Sequence, residues 1–244
     1  MSKMMRRAPP PAISKIRDAI YDVTFDPKRM DGKVIANISY VDSNDLDSVI
    51  DIYRRLHRSG LSIGPYIKIV DENTGGKVGI LTICSITIDG VLLKSAVPSN
   101  PIGGGVLYVE SVRGVRFTDF LKYESTTMDP LETLAGMGLT SIMKVVETGS
   151  GRILANVREV PMIAKDDVEA LLGDMVDAGF SGVIEVGEPN TDIFDIPTGR
   201  DHFGIVIAGG INPLVAADEM GIAVENHAMR QIVEISEMER ISDV

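Results

Sequence analysis

The stretch His202-Phe203-Gly204-Ile205-Val206-Ile207-Ala208-Gly209-Gly210-Ile211-Asn212-Pro213-Leu214-Val215-Ala216-Ala217-Asp218-Glu219-Met220-Gly221 decides how the chain is read. Its apolar run, Phe203 to Ala208, has the length of a buried strand. Gly209 and Gly210 follow, where a side chain would obstruct a tight turn or a ligand. Asn212 stands at an N-cap position, and Pro213 lies in the first helical turn, where a missing N–H is tolerated. Leu214 to Met220 keeps helical spacing, and Gly221 supplies the left-handed stop. A strand ending in two glycines and a helix start leaves amide hydrogens free, which is a general anion site. The plainer reading is a tight strand-to-helix turn.

The same kind of unit occurs earlier in the chain. Val34-Ile35-Ala36-Asn37-Ile38 is matched by Ile153-Leu154-Ala155-Asn156-Val157, 119 residues later. At that offset Asp47 falls on Asp166, Val49 on Val168, Gly60 on Gly179, Ser62 on Ser181 and Ile67 on Val186. Gly79-Ile80-Leu81 is matched by Gly204-Ile205-Val206 at an offset of 125, which also puts Ile86 on Ile211. Two ordered matches at nearly one offset indicate a duplicated architecture. The expected fold class is α/β with mixed sheets and two pseudo-symmetric lobes, about 31–112 and about 150–225. Duplicated lobes commonly place a ligand at their junction. There Cys84 and Ser85 stand where the second lobe has Gly209 and Gly210.

Composition narrows the function. The chain has 244 residues, 44% of them hydrophobic, enough for a sizeable core. No apolar run has the length of a membrane span. Met1 to Arg7 is basic, but Pro9-Pro10-Pro11 follows instead of an apolar core, so it does not read as a signal peptide. The single cysteine forms no internal disulfide and fits a cytoplasmic setting. Three scattered histidines give no metal motif, and no cofactor is expected. A net charge of −11 repels phosphate backbones, so direct nucleic-acid binding is not expected.

Residues 1–30 read as a linker with one short helix, Ile13, Ile16 and Ile20 facing inward. Lys33 to Val41 reads as a strand, Leu46 to Leu56 as a helix capped by Ser43-Asn44-Asp45 and stopped at Gly60, and Tyr66 to Val70 as a strand. Val78–Ile88 and Val91–Val97 read as a hairpin about Asp89-Gly90. Gly103-Gly104-Gly105 reads as a strand bulge leading into Val106–Val109, and Asp129-Pro130 opens a helix. Ser141–Glu147 and Arg152–Val160 read as a second hairpin. Residues 226–240 read as a final helix and 239–244 as a frayed tail. Met128, Met137, Met143 and Met175 read as core filling.

Four segments together carry a resemblance: Thr82 to Lys94, Tyr123 to Glu132, Asn156-Val157-Arg158-Glu159-Val160-Pro161, and Gly209 to Pro213. In this order and spacing they resemble the regulatory domain of NrpR, the archaeal nitrogen-assimilation repressor, over about residues 30 to 236. The resemblance implies a non-enzymatic domain that binds 2-oxoglutarate in a cleft and so relieves repression of nitrogen genes. It also implies a homo-oligomer, expected as a dimer, and a winged-helix DNA-binding domain ahead of the regulatory one. No winged-helix pattern precedes residue 30 here. An excised domain and a short member working through a DNA-binding partner are both consistent with that.

2-Oxoglutarate is a dianion with a keto group, so its site needs cations or free amides and a polar group for the keto oxygen. Arg158 is the leading candidate. Its counterpart in the first lobe is Ser39, so the charge belongs to one lobe, and the alternative is an arginine paired with Glu159 or a helix acid. Arg116 ahead of the Tyr123 motif and Lys94 past the expected hairpin are further candidates, each also readable as a solvated surface cation. Thr126 and Thr127 are either ligand hydroxyls or a capping cluster. Cys84 and Ser85 line the cleft or fill the core. Gly209, Gly210 and Asn212 offer amides or merely a turn. A ligand-free dimerisation scaffold and an enzyme acting on a small carboxylate are the alternative functions. No acid–base pair or nucleophile motif favours the enzyme.

Overall fold

The computed structural model describes residues 10–244, with backbone alone for 71–74. Helix α1 (Ala12–Asp22) buries Ile13, Ile16 and Ile20, the expected stripe. Strand β1 (Lys33–Asp42) leads through a tight turn to α2 (Leu46–Arg58), whose Val49, Ile50, Tyr53 and Leu56 face inward. Strands β2 (Tyr66–Thr74) and β3 (Lys77–Ile83) precede α3 (Ile86–Lys94). Strands β4 (Asn100–Glu110) and β5 (Arg113–Lys122) form a long hairpin. Helix α4 (Pro130–Ala135) starts under an Asp129 cap, and α5 (Ile142–Thr148) runs into β6 (Gly151–Pro161). Helix α6 (Lys165–Asp177), β7 (Val183–Val186), β8 (His202–Ala208) and α7 (Asn212–Glu219) repeat the earlier order. Strands β9 (Glu225–Glu234) and β10 (Glu239–Arg240) end the chain.

Two five-stranded sheets result, in the orders β10-β2-β3-β1-β9 and β5-β4-β6-β8-β7. Strand pairing verifies the repeat to the residue. Ala36 pairs with Ile83, and Ala155, 119 residues on, pairs with Ala208, 125 residues on. Backbone hydrogen bonds repeat likewise: Cys84 N donates to Ile35 O and Gly209 N to Leu154 O, both at 2.8 Å. The six-residue difference between the offsets lies in the longer β7–β8 connection.

Two contiguous lobes, about 31–112 and about 150–225, are the expectation from sequence, but each sheet draws strands from both repeats. Strand β4 of the first repeat joins the second sheet beside β6, and β9 of the second repeat joins the first sheet beside β1. The repeats therefore exchange strands. One core gathers α1, α3 and α6, while the other gathers α2, α5 and α7. The repeats also touch at their helix-to-strand loops, where the matched serines meet: Ser181 Oγ donates to Ser62 O at 2.8 Å.

Several expected elements are corrected. The Asp89-Gly90 hairpin is instead helix α3. Asp89 is fully buried, and a Cβ on Gly90 would collide with Val23 behind α1. The first arm of the second hairpin is helix α5, held by Glu219, whose carboxylate accepts from Ile142 N at 2.8 Å and Met143 N at 3.0 Å. The final helix is an edge strand, β9, with Ile232 about half exposed. The tail does not fray. Strand β10 pairs with β2, and Arg54 holds the carbonyl oxygens of Ile241 (3.0 Å) and Val244 (2.8 Å). The β4 bulge falls between Pro101 and Gly103, beside the glycine triplet. Met143 and Met175 are core residues, whereas Met128 and Met137 are exposed.

Candidate functional site

The strand-to-helix turns of the two repeats face each other, and the polar residues there are used unequally. Thr87 Oγ1 accepts from Ile35 N and donates to Ile35 O, stitching the start of α3 to β1. Asn212, at the matched position, does the same to Leu154: Oδ1 accepts from its N at 3.2 Å and Nδ2 donates to its O at 3.0 Å. Asn212 is therefore a buried stitch and the first helical residue rather than the N-cap.

Between the turns lies a cavity of about 20 Å³, lined by Asn37, Asn156, Cys84, Ser85, Gly210 and Tyr123 among others, with Asp129 at its edge. Three pairs of matched positions line it: Asn37 with Asn156, Ser85 with Gly210, and Ile86 with Ile211. Such a volume holds one water-sized particle. Gly210 cannot carry a side chain. A Cβ there would run into the Ile83 carbonyl and stand 2.7 Å from Asn37 Nδ2. Burial pushes the Cys84 thiol up to about 12, so it is a neutral thiol at physiological pH.

A larger cleft of about 660 Å³ opens beside this cavity and shares Asp129, Ala228 and Met229 with it. Helix α1 gives it Ala12 and Lys15, the α4 region Thr127, Glu132 and Thr133, and β9 Asn226 and Arg230. Asp218 and Glu225 are also in its wall, so the cleft carries both signs of charge. Asp129 stands between the two spaces. Its Oδ1 caps α4 through Leu131 N (2.9 Å) and Glu132 N (3.0 Å). Burial, the largest cause, lifts its carboxyl to about 6. The capping N–H groups and Lys15 oppose that shift, and Glu132 adds to it.

The residues expected at the site are distributed as follows. Cys84, Ser85 and Gly210 line the small cavity, and Thr127 lines the cleft. Gly209 packs against Leu154 and Leu131, outside both. Thr126 shapes its own loop, its Oγ1 accepting from Met128 N. Arg158 is 1% exposed, and its guanidinium meets a carboxylate of the chain itself. Nε and Nη2 donate to the two oxygens of Asp89, each at 3.0 Å, with Ser99 Oγ also donating to Asp89. This is the helix-acid alternative, found buried instead of on the surface. Arg116 is exposed on β5, and Lys94 is exposed in the last turn of α3, not at a hairpin edge.

Sequence reasoning missed Asp129, Lys15 and Arg230. Lys15 lies in the stretch read as a linker with one short helix, and Arg230 in a stretch read as a helix that is instead β9. The signal for the cavity was present in the repeat itself: an asparagine recurs at one position of two matched five-residue runs that are otherwise apolar, 34–38 and 153–157.

Two strand-exchanged α/β repeats, with a polar cavity where they meet and a larger cleft beside it, define a duplicated α/β domain. The chain belongs to the NrpR regulatory-domain family: the family described as NrpR regulatory domains NRD1 and 2 matches residues 10–240. It is 33% identical to the global nitrogen regulator NrpRI of Methanosarcina mazei, over 94% of this chain and 73% of that protein. It is 33% identical to the global nitrogen regulator NrpR of Methanocaldococcus jannaschii, over 96% of this chain and 40% of that protein. A crystal structure of a nitrogen repressor-like protein from Methanococcus jannaschii superposes with a TM-score of 0.84 at 32% identity, over 96% of this chain and all of that one. The relatives are named as regulators, and the present chain is a regulatory domain of that family.

Proposed function

We propose that this domain binds 2-oxoglutarate in the cleft between α1, α4 and β9, and that binding relieves repression exerted through a DNA-binding domain or partner outside this chain. The carrying observation is the cleft itself. It opens beside the cavity where the repeats meet, sharing Asp129, Ala228 and Met229 with it, and its two cations, Lys15 and Arg230, make no ion pair among the described residues. Two unpaired cations and the hydroxyls of Thr127 and Thr133 are the groups that a five-carbon keto dianion requires. The net charge of −11 favours leaving DNA contact to another domain. A homodimer in the cytoplasm is the setting this reading adopts. Allosteric relief then needs only that ligand bind one arrangement of the repeats or subunits better than another. A tenfold change in DNA affinity corresponds to about 1.4 kcal/mol of coupling.

Calorimetric titration with 2-oxoglutarate, glutarate and glutamate tests the proposal. Saturable heat with 2-oxoglutarate, weaker with glutarate and reduced at least tenfold by Lys15→Ala combined with Arg230→Ala, is expected. No heat at millimolar 2-oxoglutarate would reject the effector. Undiminished binding in the double variant would reject the cleft.

A further inference from the structure

The matched asparagines of the central cavity differ in how fully they are satisfied. Asn37 Nδ2 donates to Thr82 Oγ1 at 3.3 Å and to Ile83 O at 3.4 Å, and its Oδ1 accepts from Met229 N at 3.2 Å. Strand β9 delivers that amide because its register against β1 breaks opposite Asn37, with Met229 at a φ of +50°. Strand β4 passes Asn156 in regular register, with Gly104 opposite, and turns no amide toward it. Asn156 Nδ2 donates to Ser85 Oγ at 2.7 Å, but Asn156 Oδ1 has no partner although the residue is 2% exposed. A buried acceptor without a donor is destabilising and calls for a ligand.

Asp129 brings a second demand to the same cavity. One carboxylate oxygen is used by the α4 cap; the other makes no hydrogen bond or ion pair among the described residues and is not fully buried, since Asp129 also lines the open cleft. The Tyr123 hydroxyl and Ser85 Oγ complete a set of four side-chain oxygens with lone pairs to spare. Ile86, Ile211, Leu131 and Met229 close the space with apolar surface.

We propose that this cavity binds one ammonium ion, a water-sized monovalent cation that carries only hydrogen-bond donors. Its four N–H groups match the four oxygens, and its charge answers the carboxylate. Water would satisfy Asn156 but bring no positive charge to Asp129, where burial outweighs the capping N–H groups and Lys15. Hard metal cations take six or more oxygens, more than these side chains supply. The site adjoins the larger cleft and shares Asp129 with it, but it rests on Asn156 and not on the ligand proposed for that cleft.

Thermal unfolding of the full chain in ammonium, potassium, sodium and methylammonium chloride, at matched ionic strength and well above pH 6, tests this. A saturable rise in Tm with ammonium alone is expected, since a methyl group exceeds the volume. Asp129→Asn retains a cap for α4 and Asn156→Leu retains side-chain shape, and both are expected to fold and lose the ammonium-specific rise. A protected ¹⁵N-ammonium resonance in the wild type provides a readout that needs no variant.

The response should fade as pH falls through about 6, where Asp129 takes up a proton. The charged and titratable groups around Asp129 are Lys15 from α1, Glu132 from α4, Tyr123, Cys84, and Glu225, His227 and Arg230 from β9. Equal Tm in all four salts would overturn the proposal, as would equal rises in ammonium and potassium, or retention of the ammonium rise in both variants.

Discussion

Thr87 and Asn212 are chemically unlike, yet each ties the first turn of a helix to the neighbouring strand through both backbone groups of one residue. Single-residue reading misses this equivalence, because the shared property is a position and not a residue type. Arg158 teaches the converse. Its charge was legible as a one-lobe feature, but its partner lay 69 residues back, inside a segment read as a turn. The pair is buried, so removing one member strands the other charge. Arg158→Met is expected to cost about 3–5 kcal/mol in urea unfolding. Asp89→Leu combined with Arg158→Met should recover much of that loss, because the matched positions Ser39 and Leu214 are neutral in the same fold. A double variant no more stable than the single one would show that the pair does more than satisfy itself.

Elements with local signatures were legible: α1, β1, α2, β8 and α7 all lie where periodicity places them, although neither α2 nor α7 has the side-chain cap read for it. The failures have a common physical cause, namely that tertiary partners overrode local preference. In α5, Val145 and Val146 favour a strand, but Glu219 from α7 accepts the first N–H groups of a helix at that place. Thr140 Oγ1 donates to the same carboxylate at 2.6 Å. Glu219→Ala should therefore weaken α5 by about 1–2 kcal/mol, read as faster amide exchange from Ile142 to Thr148 with other helices unaffected. Unchanged exchange there would mean that packing alone holds the helix. Strand β9 was mistaken for a helix because an edge strand with both faces partly wet shows no clean alternation.

At the scale of the whole molecule, the duplication was visible in the sequence, while the exchange of strands was not. Register reports similarity between segments but not which sheet a segment joins. The consequence is measurable. A fragment spanning 31–112 keeps β1, β2 and β3 but lacks β9, and its β4 lacks β6. It should give a disordered far-ultraviolet spectrum. A folded, cooperative fragment would contradict the exchanged architecture. Because each repeat completes its sheet with a strand from the other, the architecture is that of two half-length chains embracing as partners and then fused end to end. A symmetric ancestor of this kind would have had two identical asparagines at its centre. The joined chain is free to let them diverge, closing one with its own backbone and leaving the other open to a guest.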